Sequence, residues 1–306
     1  MNSFTRKESN EAYHLDTEYV SSSPLKLYKR SPLHKTVEKD KTDALIFGGA
    51  YHCMVLEPEI FFDIYFVFDD REIMQKLSKD FTNIRLSKPY KEFKEDEYLK
   101  AEGREIIPID DFLTMQTMYK ALMSHRFVYW LFTQGINELS HYTVLNGVKT
   151  KIKPDSIHLK HRIIADLKTT VDASYDTYYH EAAKRGSHIS GALYCDVAEQ
   201  MYPNDIKPFK FMLVVQEKTA PFAVAVYETT YNFLAIGRYE YEMLLQQHKY
   251  CQETGIYEGY EVFSNNKYGI INLGFPAYKN REYMFYNQFA KDRKYMRNFK
   301  LEKVAI

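Results

Sequence analysis

The sequence predicts an α/β (α+β) chain built on a central mixed β-sheet flanked by helices. Three observations carry this reading. Residues 136–145, 148–157 and 162–169 are short strand-like runs separated by Asn146-Gly147 and by a polar turn at 158–161, the pattern of an antiparallel meander. Residues 209–215 and 221–227 are near-continuous apolar runs, as expected of strands covered on both faces. Segments of helical period, with capping residues ahead of them, surround these strands.

Taken in order, residues 1–19 are polar and expected to be poorly ordered. Ser21, Ser22 and Ser23 with Pro24 start a short helix that should run to Arg30 and stop at Ser31-Pro32. Thr42-Asp43 caps a helix from Ala44 to about Leu56, which ends at Glu57-Pro58. Residues 61–68 read as an aromatic strand, and the highly charged stretch 70–105 as a peripheral insertion. Helices are predicted over 108–124 and 126–133, the second closed by Gly135. After the meander come helices from Ser174 to Arg185 and from His188 to Met201, broken at Gly186. The longest helix covers 231–253, followed by an aromatic, glycine-containing end that includes Tyr257 and Phe275-Pro276. No internal repeat and no linker divides the chain, so a single domain over 1–306 is expected.

The 306 residues are 45% hydrophobic and 27% charged, ordinary for a globular protein, but 16% aromatic with 27 Tyr and 20 Phe. Net charge is zero, which removes any bulk electrostatic argument for nucleic acid. Basic residues are nevertheless clustered. Residues 20–37 contain no acid, 149–160 carry four lysines against one aspartate, and the basic tail within 288–306 has six basic residues against two acidic over 291–303. Cys53, Cys195 and Cys251 are too few and too far apart for a disulfide framework or a cysteine-ligated cluster. No apolar run approaches membrane-spanning length and the first residues do not resemble a signal peptide, so a cytoplasmic location without membrane partners is expected.

The chemistry concentrates at Lys153-Pro154-Asp155 and Asp166-Leu167-Lys168. With a turn at 158–161, Ile157 pairs with Arg162 and Asp155 faces Ile164. Asp166 is then its diagonal neighbour, roughly 7–8 Å away on the same face. Lys168 shares that face by alternation. These polar residues follow the apolar run Ile163-Ile164-Ala165, and buried carboxylates must be paired or bind metal. On these residues alone, an exposed hairpin with a surface Asp–Lys pair accounts for the pattern as well as a divalent-metal site does.

With the elements placed, the order of motifs resembles the PD-(D/E)XK nuclease superfamily, and more narrowly the exonuclease VIII (RecE-type) family of phage and prophage exonucleases. The stretches that carry this are Tyr19–Lys26 with Ser31–His34, Ala44–His52 with Val55–Pro58, Lys153–Asp155, Ile164–Thr170 with Asp172–Ser174, and Ala192–Tyr194. The resemblance implies a restriction-endonuclease-like core in which His52, Asp155, Asp166 and the Leu167 carbonyl bind Mg2+, or Mn2+ given the imidazole. It implies that Lys168 orients or deprotonates the attacking water, with its pKa lowered by the cation. Ser190-Gly191-Ala192-Leu193-Tyr194 stands where relatives carry Gln-X-X-X-Tyr, so Tyr194 is retained and Ser190 replaces the glutamine. Glu138 matches a glutamate common before the Pro-Asp strand, and reads equally as a residue behind the ligands, a ligand of a second metal or a surface strand position.

Ser22, Ser23, Lys26 and Arg30 are candidates for a DNA-phosphate contact, although helix capping explains the serines nearly as well. The activity implied is 5′-to-3′ degradation of linear double-stranded DNA from its ends. Its expected partners are a single-strand annealing protein and, by resemblance only, a ring-shaped homo-oligomer. The alternatives are a structure-specific or single-strand endonuclease on the same core, or a catalytically weakened DNA-binding remnant, for which the change to Ser190 speaks.

Overall fold

The computed structural model describes residues 3–37, 41–204, 207–264 and 267–274. In chain order, β1 (Phe4–Lys7) and α1 (Asn10–Leu15) precede α2 (Ser22–Tyr28) and α3 (Asp43–Leu56). A short α4 (Phe61–Ile64) leads into β2 (Tyr65–Phe68), then α5 (Arg71–Leu77), α6 (Lys88–Leu99), β3 (Glu105–Pro108), α7 (Ile109–Ser124) and α8 (Arg126–Gln134). Strands β4 (Ile136–Asn137), β5 (Leu139–Leu145), β6 (Val148–Ile152), β7 (Ser156–His158) and β8 (Ile163–Thr170) follow. The remainder is α9 (Tyr175–Lys184), α10 (Ser187–Met201), β9 (Lys210–Glu217), β10 (Val224–Glu228) and α11 (Tyr231–Thr254).

Among the described residues the central sheet has the order β10-β9-β8-β7-β4. The pair β8–β9 is parallel and the other neighbours are antiparallel, so the sheet is mixed, as the sequence predicts. Alternation along the strands assigns its two faces. Ala165 and Leu167 of β8, with Met212 and Val214 of β9, join the core formed by α3, α7 and α8. Ile164 of β8, with Phe211, Leu213 and Val215 of β9, packs with Tyr178, Ala182, Cys195 and Ala198 of α9 and α10. Asp166 and Lys168 have the parity of Ile164, so they extend the second face past its apolar end.

The three-strand meander is divided between two sheets. Glu138, at φ +51°, interrupts the first strand, and Pro154, which has no N–H to give a ladder, interrupts the second. The outer parts, β5 and β6, form a separate sheet with β1, while the inner β4 and β7 remain beside β8. The hairpin register also differs from the expected one: Ser156 pairs with Ala165, Ile157 with Ile164 and His158 with Ile163. The turn sits one residue later, with Arg162 in the left-handed region at φ +54°. A shift of two residues preserves both faces, and continued by one step it brings Asp155 level with Asp166 instead of Ile164.

Other differences have local causes. Residues 61–64 continue as a helical turn after Pro58, with Phe61 buried against Tyr65 and Phe112 at ring separations of 5.2 and 5.8 Å, so only Tyr65–Phe68 of the aromatic run is strand. The stretch read as an insertion holds α5 and α6 and leads into β3, which pairs in parallel with β2. Residues expected to be poorly ordered contain β1, paired with β5, and α1, capped by the Ser9 hydroxyl. β10 begins later than predicted, after Phe222 at φ +59°. The described residues divide into two units, one ending at Tyr257 and the other beginning at Glu258. The described part of the second includes a single 3-10 turn, Tyr260–Phe263, and the basic tail and Phe275-Pro276 lie outside the described residues. No helix among the described residues is long and apolar enough to cross a membrane.

Helices α10 and α11 pack closely because Gly237 faces the backbone of α10. A Cβ at that position would lie 2.0 Å from the His188 carbonyl oxygen and 3.1 Å from the Ala192 Cβ. Alanine would gain about 1 kcal/mol of helix propensity, but a backbone oxygen cannot yield as a side chain can, and overpacking costs up to about 3 kcal/mol. Gly237→Ala is therefore expected to lower the unfolding free energy by about 2 kcal/mol, read from urea midpoints; an unchanged midpoint would contradict this packing.

Candidate active site

The site begins where a strand is missing. The β7–β8 ladder ends at Ser156 and Ala165, so the Leu167 N–H has no strand partner on that side. The Asp155 carboxylate takes the place of the absent backbone acceptor, with Oδ2 accepting from the Leu167 N–H at 2.5 Å. This fixes the carboxylate against β8.

α3 brings His52 to the same point. Its N-terminus is capped by Thr42, and Ala50, Tyr51, Cys53 and Val55 are buried in the core, which leaves His52 at the core's edge. His52 Nδ1 lies 3.6 Å from Asp155 Oδ2. Glu138, at the break between β4 and β5, is buried; its Oε2 accepts from Lys153 Nζ at 2.9 Å, and its backbone N–H donates to the Asp155 carbonyl at 3.4 Å. Ligand atoms of His52, Glu138 and Asp155 all lie within 4.8 Å of one another. Asp166 faces the same space but engages Lys168, its Oδ2 2.5 Å from Nζ, and Lys168 also donates to the Leu167 carbonyl at 3.2 Å.

These residues line one cleft of ≈ 470 Å³, together with Ser22, Ser23 and Tyr194. Three of the other predicted residues sit outside its wall. Ser190 lies behind α2, where its hydroxyl donates to Ser22 Oγ at 3.2 Å. Lys26 is close enough for Asp166 and Lys168 to act on its charge. Arg30 is exposed beyond the end of α2. The wall also includes residues that the sequence did not single out: Asn10, Tyr13 and His14 from the N-terminal arm, and Arg185 after α9. Nothing local marks them, since they reach the cleft only through the pairing of β1 with β5 and the packing of α9.

The electrostatics follow from burial and from crowded like charges. Burial, reinforced by Lys168, pushes the His52 imidazole down to about 4, so at neutral pH it is neutral and has a free lone pair. Burial and the Asp155 charge raise Glu138 to about 7 despite Lys153. Burial and Asp166 raise Asp155 as well. Burial pulls the Lys168 ammonium down, but Asp166 and Asp155 outweigh it and hold its pKa above the ordinary lysine value. Burial likewise lowers Lys26, to about 8. Two mutually repelling carboxylates and a neutral imidazole make an oxygen-rich donor set, and a hard divalent cation would relieve their repulsion. The residues fit such an ion.

Residues 21–258 match the family described as a PDDEXK-like domain of unknown function (DUF3799). Among solved structures, a crystal structure of a protein from Eubacterium rectale, provisionally named an exonuclease, is similar with a TM-score of 0.55 at 15% identity, covering 90% of this chain and 98% of that one. At such identity the likeness speaks for the fold. A second, the crystal structure of SSO0001, has 15% identity over 75% of this chain and 93% of that one, but its TM-score of 0.26 carries no argument. No curated protein matches the chain.

The raised Glu138 has a consequence for stability. Its folded pKa of about 7 lies above the ordinary 4.5, so its contribution is present below the lower value and lost as pH rises to the upper one. That loss amounts to about 3 kcal/mol. Without divalent cation, this contribution should be lost between about pH 4.5 and pH 7, while the lowered His52 acts in the opposite sense in both proteins. Glu138→Gln, which has no proton to lose, should therefore lose less unfolding free energy than wild type across that window. The same slope in both proteins, in parallel urea titrations, would refute the assignment.

Proposed function

This chain belongs to the family of PDDEXK-like domains, and on that premise we propose that it is a Mg2+-dependent deoxyribonuclease, a 5′-to-3′ exonuclease acting on the ends of linear double-stranded DNA in phage-type recombination. Family and fold support a nuclease of the kind that generally uses divalent metal. The observation that carries the reading is the convergence of His52, Glu138, Asp155, Asp166 and Lys168 on one cleft. The partners that go with it, a single-strand annealing protein and a ring-shaped homo-oligomer, rest on the family resemblance alone.

His52, Glu138 and Asp155 would hold the cation, with Asp166 and the Leu167 carbonyl beside them. A divalent cation there supplies Lewis-acid polarisation of the scissile phosphate, and charge to offset that developing in the transition state. Asp155, bonded to the Leu167 N–H, is held in place before any ligand arrives. Neutral His52 offers a lone pair instead of a competing charge. Lys168, suspended between Asp166 and the Leu167 carbonyl, stays protonated, which suits it to orient water and phosphate oxygens and to return a proton to the leaving oxygen. Ser22, Ser23 and Lys26 furnish hydroxyl and cationic contacts for a DNA phosphate, with Arg30 on the exposed end of the same segment.

One observation favours a second reading. Ser190 is bonded to Ser22 and stands behind the cleft wall, where a longer side chain could reach the substrate, as expected of a weakened DNA-binding relative. Linear and circular duplexes incubated with Mg2+ or chelator separate the readings. The exonuclease should consume only linear DNA with Mg2+, releasing a 5′ label first, and Asp166→Ala or Lys168→Ala should slow it at least about 100-fold. Cutting of circles would mark an endonuclease, and tight binding without cleavage under any metal would mark the weakened relative.

A further inference from the structure

The N-terminal arm, β1 and α1, precedes the residues matched by the family, which begin at 21, yet Asn10, Tyr13 and His14 line the same cleft as Asp155 and Lys168. The arm is fastened firmly. β1 pairs with β5 from Phe4–Tyr142 to Lys7–Leu139, and the Phe4 and Tyr142 rings stack at 4.7 Å. Buried Lys151 donates to the Tyr13 and Asp16 carbonyls and lies over the Tyr13 ring at 4.4 Å. The contact nearest the carboxylates is Lys153, also buried. Its ammonium reaches Glu138 Oε2 at 2.9 Å, Asn10 Oδ1 at 2.8 Å and the Glu8 carbonyl at 3.4 Å. Two of these acceptors come from the arm, and the third belongs to the cluster of candidate metal ligands.

We infer that the arm is a positioning element for the metal site: Asn10 and the Glu8 carbonyl hold Lys153, and Lys153 fixes the Glu138 carboxylate beside His52 and Asp155. The inference rests on the metal-dependent reading of the cleft. A buried ammonium must satisfy its donors. With Asn10 present, the Lys153 charge is shared among three acceptors and Glu138 keeps lone pairs for a cation. Without the amide oxygen, Lys153 turns its spare donor onto Glu138 and competes with the cation for the same oxygens. Asn10 is itself exposed, so what it contributes is an acceptor and not core packing.

The test is a Mn2+ titration of the full chain followed by electron paramagnetic resonance of the free ion, with thermal melting in parallel. Asn10→Ala should weaken Mn2+ binding about tenfold, the lower end of what losing a partner of a ligand costs, without a change in melting. Asn10→Asp, which keeps the acceptor, should bind at least as tightly as wild type. Equal affinity in Asn10→Ala and wild type overturns the inference. Should Asn10→Ala melt early, Asn10→Ser decides: weakened binding with unchanged melting supports the role and retained binding overturns it. A wild-type chain that binds no Mn2+ sinks the metal reading itself, and the inference with it.

Discussion

The hydrogen bond from the Leu167 N–H to Asp155 Oδ2 is the contact from which the rest of the site is built. The β7 ladder starts only at Ser156, so the Leu167 N–H of β8 has no strand acceptor on that side, and Pro154, which has no N–H, could not have served the Leu167 carbonyl in a continued ladder. A side-chain carboxylate then does the work of a ladder acceptor. In doing so it places a buried negative charge at the end of an otherwise apolar sheet, and such a charge must find compensation. His52 from α3, Glu138 from the strand break and Lys168 from β8 gather around it.

The compensation within the chain is incomplete. Lys168 is committed to Asp166, and Lys153 to Glu138, Asn10 and the Glu8 carbonyl, which leaves Asp155 with a backbone N–H and a neutral imidazole. The raised pKa values of Glu138 and Asp155 are the measure of this shortfall. A core designed only for stability would not hold such a group of charges, because replacing buried ions by apolar side chains of similar volume is often neutral or favourable. The same shortfall makes the cleft receptive to a cation. Glu138, held at positive φ, adds backbone strain at the same point.

Much of this was legible from the chain alone. The apolar run Phe211–Val215 announced a doubly covered strand, and β9 is buried along that run on both faces. Thr42 announced the start of α3, and the Pro58 that follows its end lies one residue past Glu57. Asp155, Asp166 and Lys168 shared a face under the wrong register as well as under the observed one, because a shift of two residues preserves parity. What escaped was the splitting of the meander. Local pattern does not record which of two sheets a strand segment joins, and positive φ at a glutamate has no sequence marker. The arm escaped for a similar reason: short polar segments acquire order only from a distant edge strand, here β5.

The sequence by itself determined the residue chemistry: two aspartates and a lysine at fixed spacing, a histidine on a helix, and strands and helices in an order that resembles a nuclease core. These follow from alternation, capping and turn preferences, which act over a few residues. Only the tertiary structure decided that Glu138 joins His52 and Asp155 while Asp166 turns to Lys168. Only the tertiary structure brought Asn10 against Lys153. Those outcomes depend on where charges separated by many residues come to rest in a buried space, and the balance among them is struck by burial and proximity that no local stretch encodes.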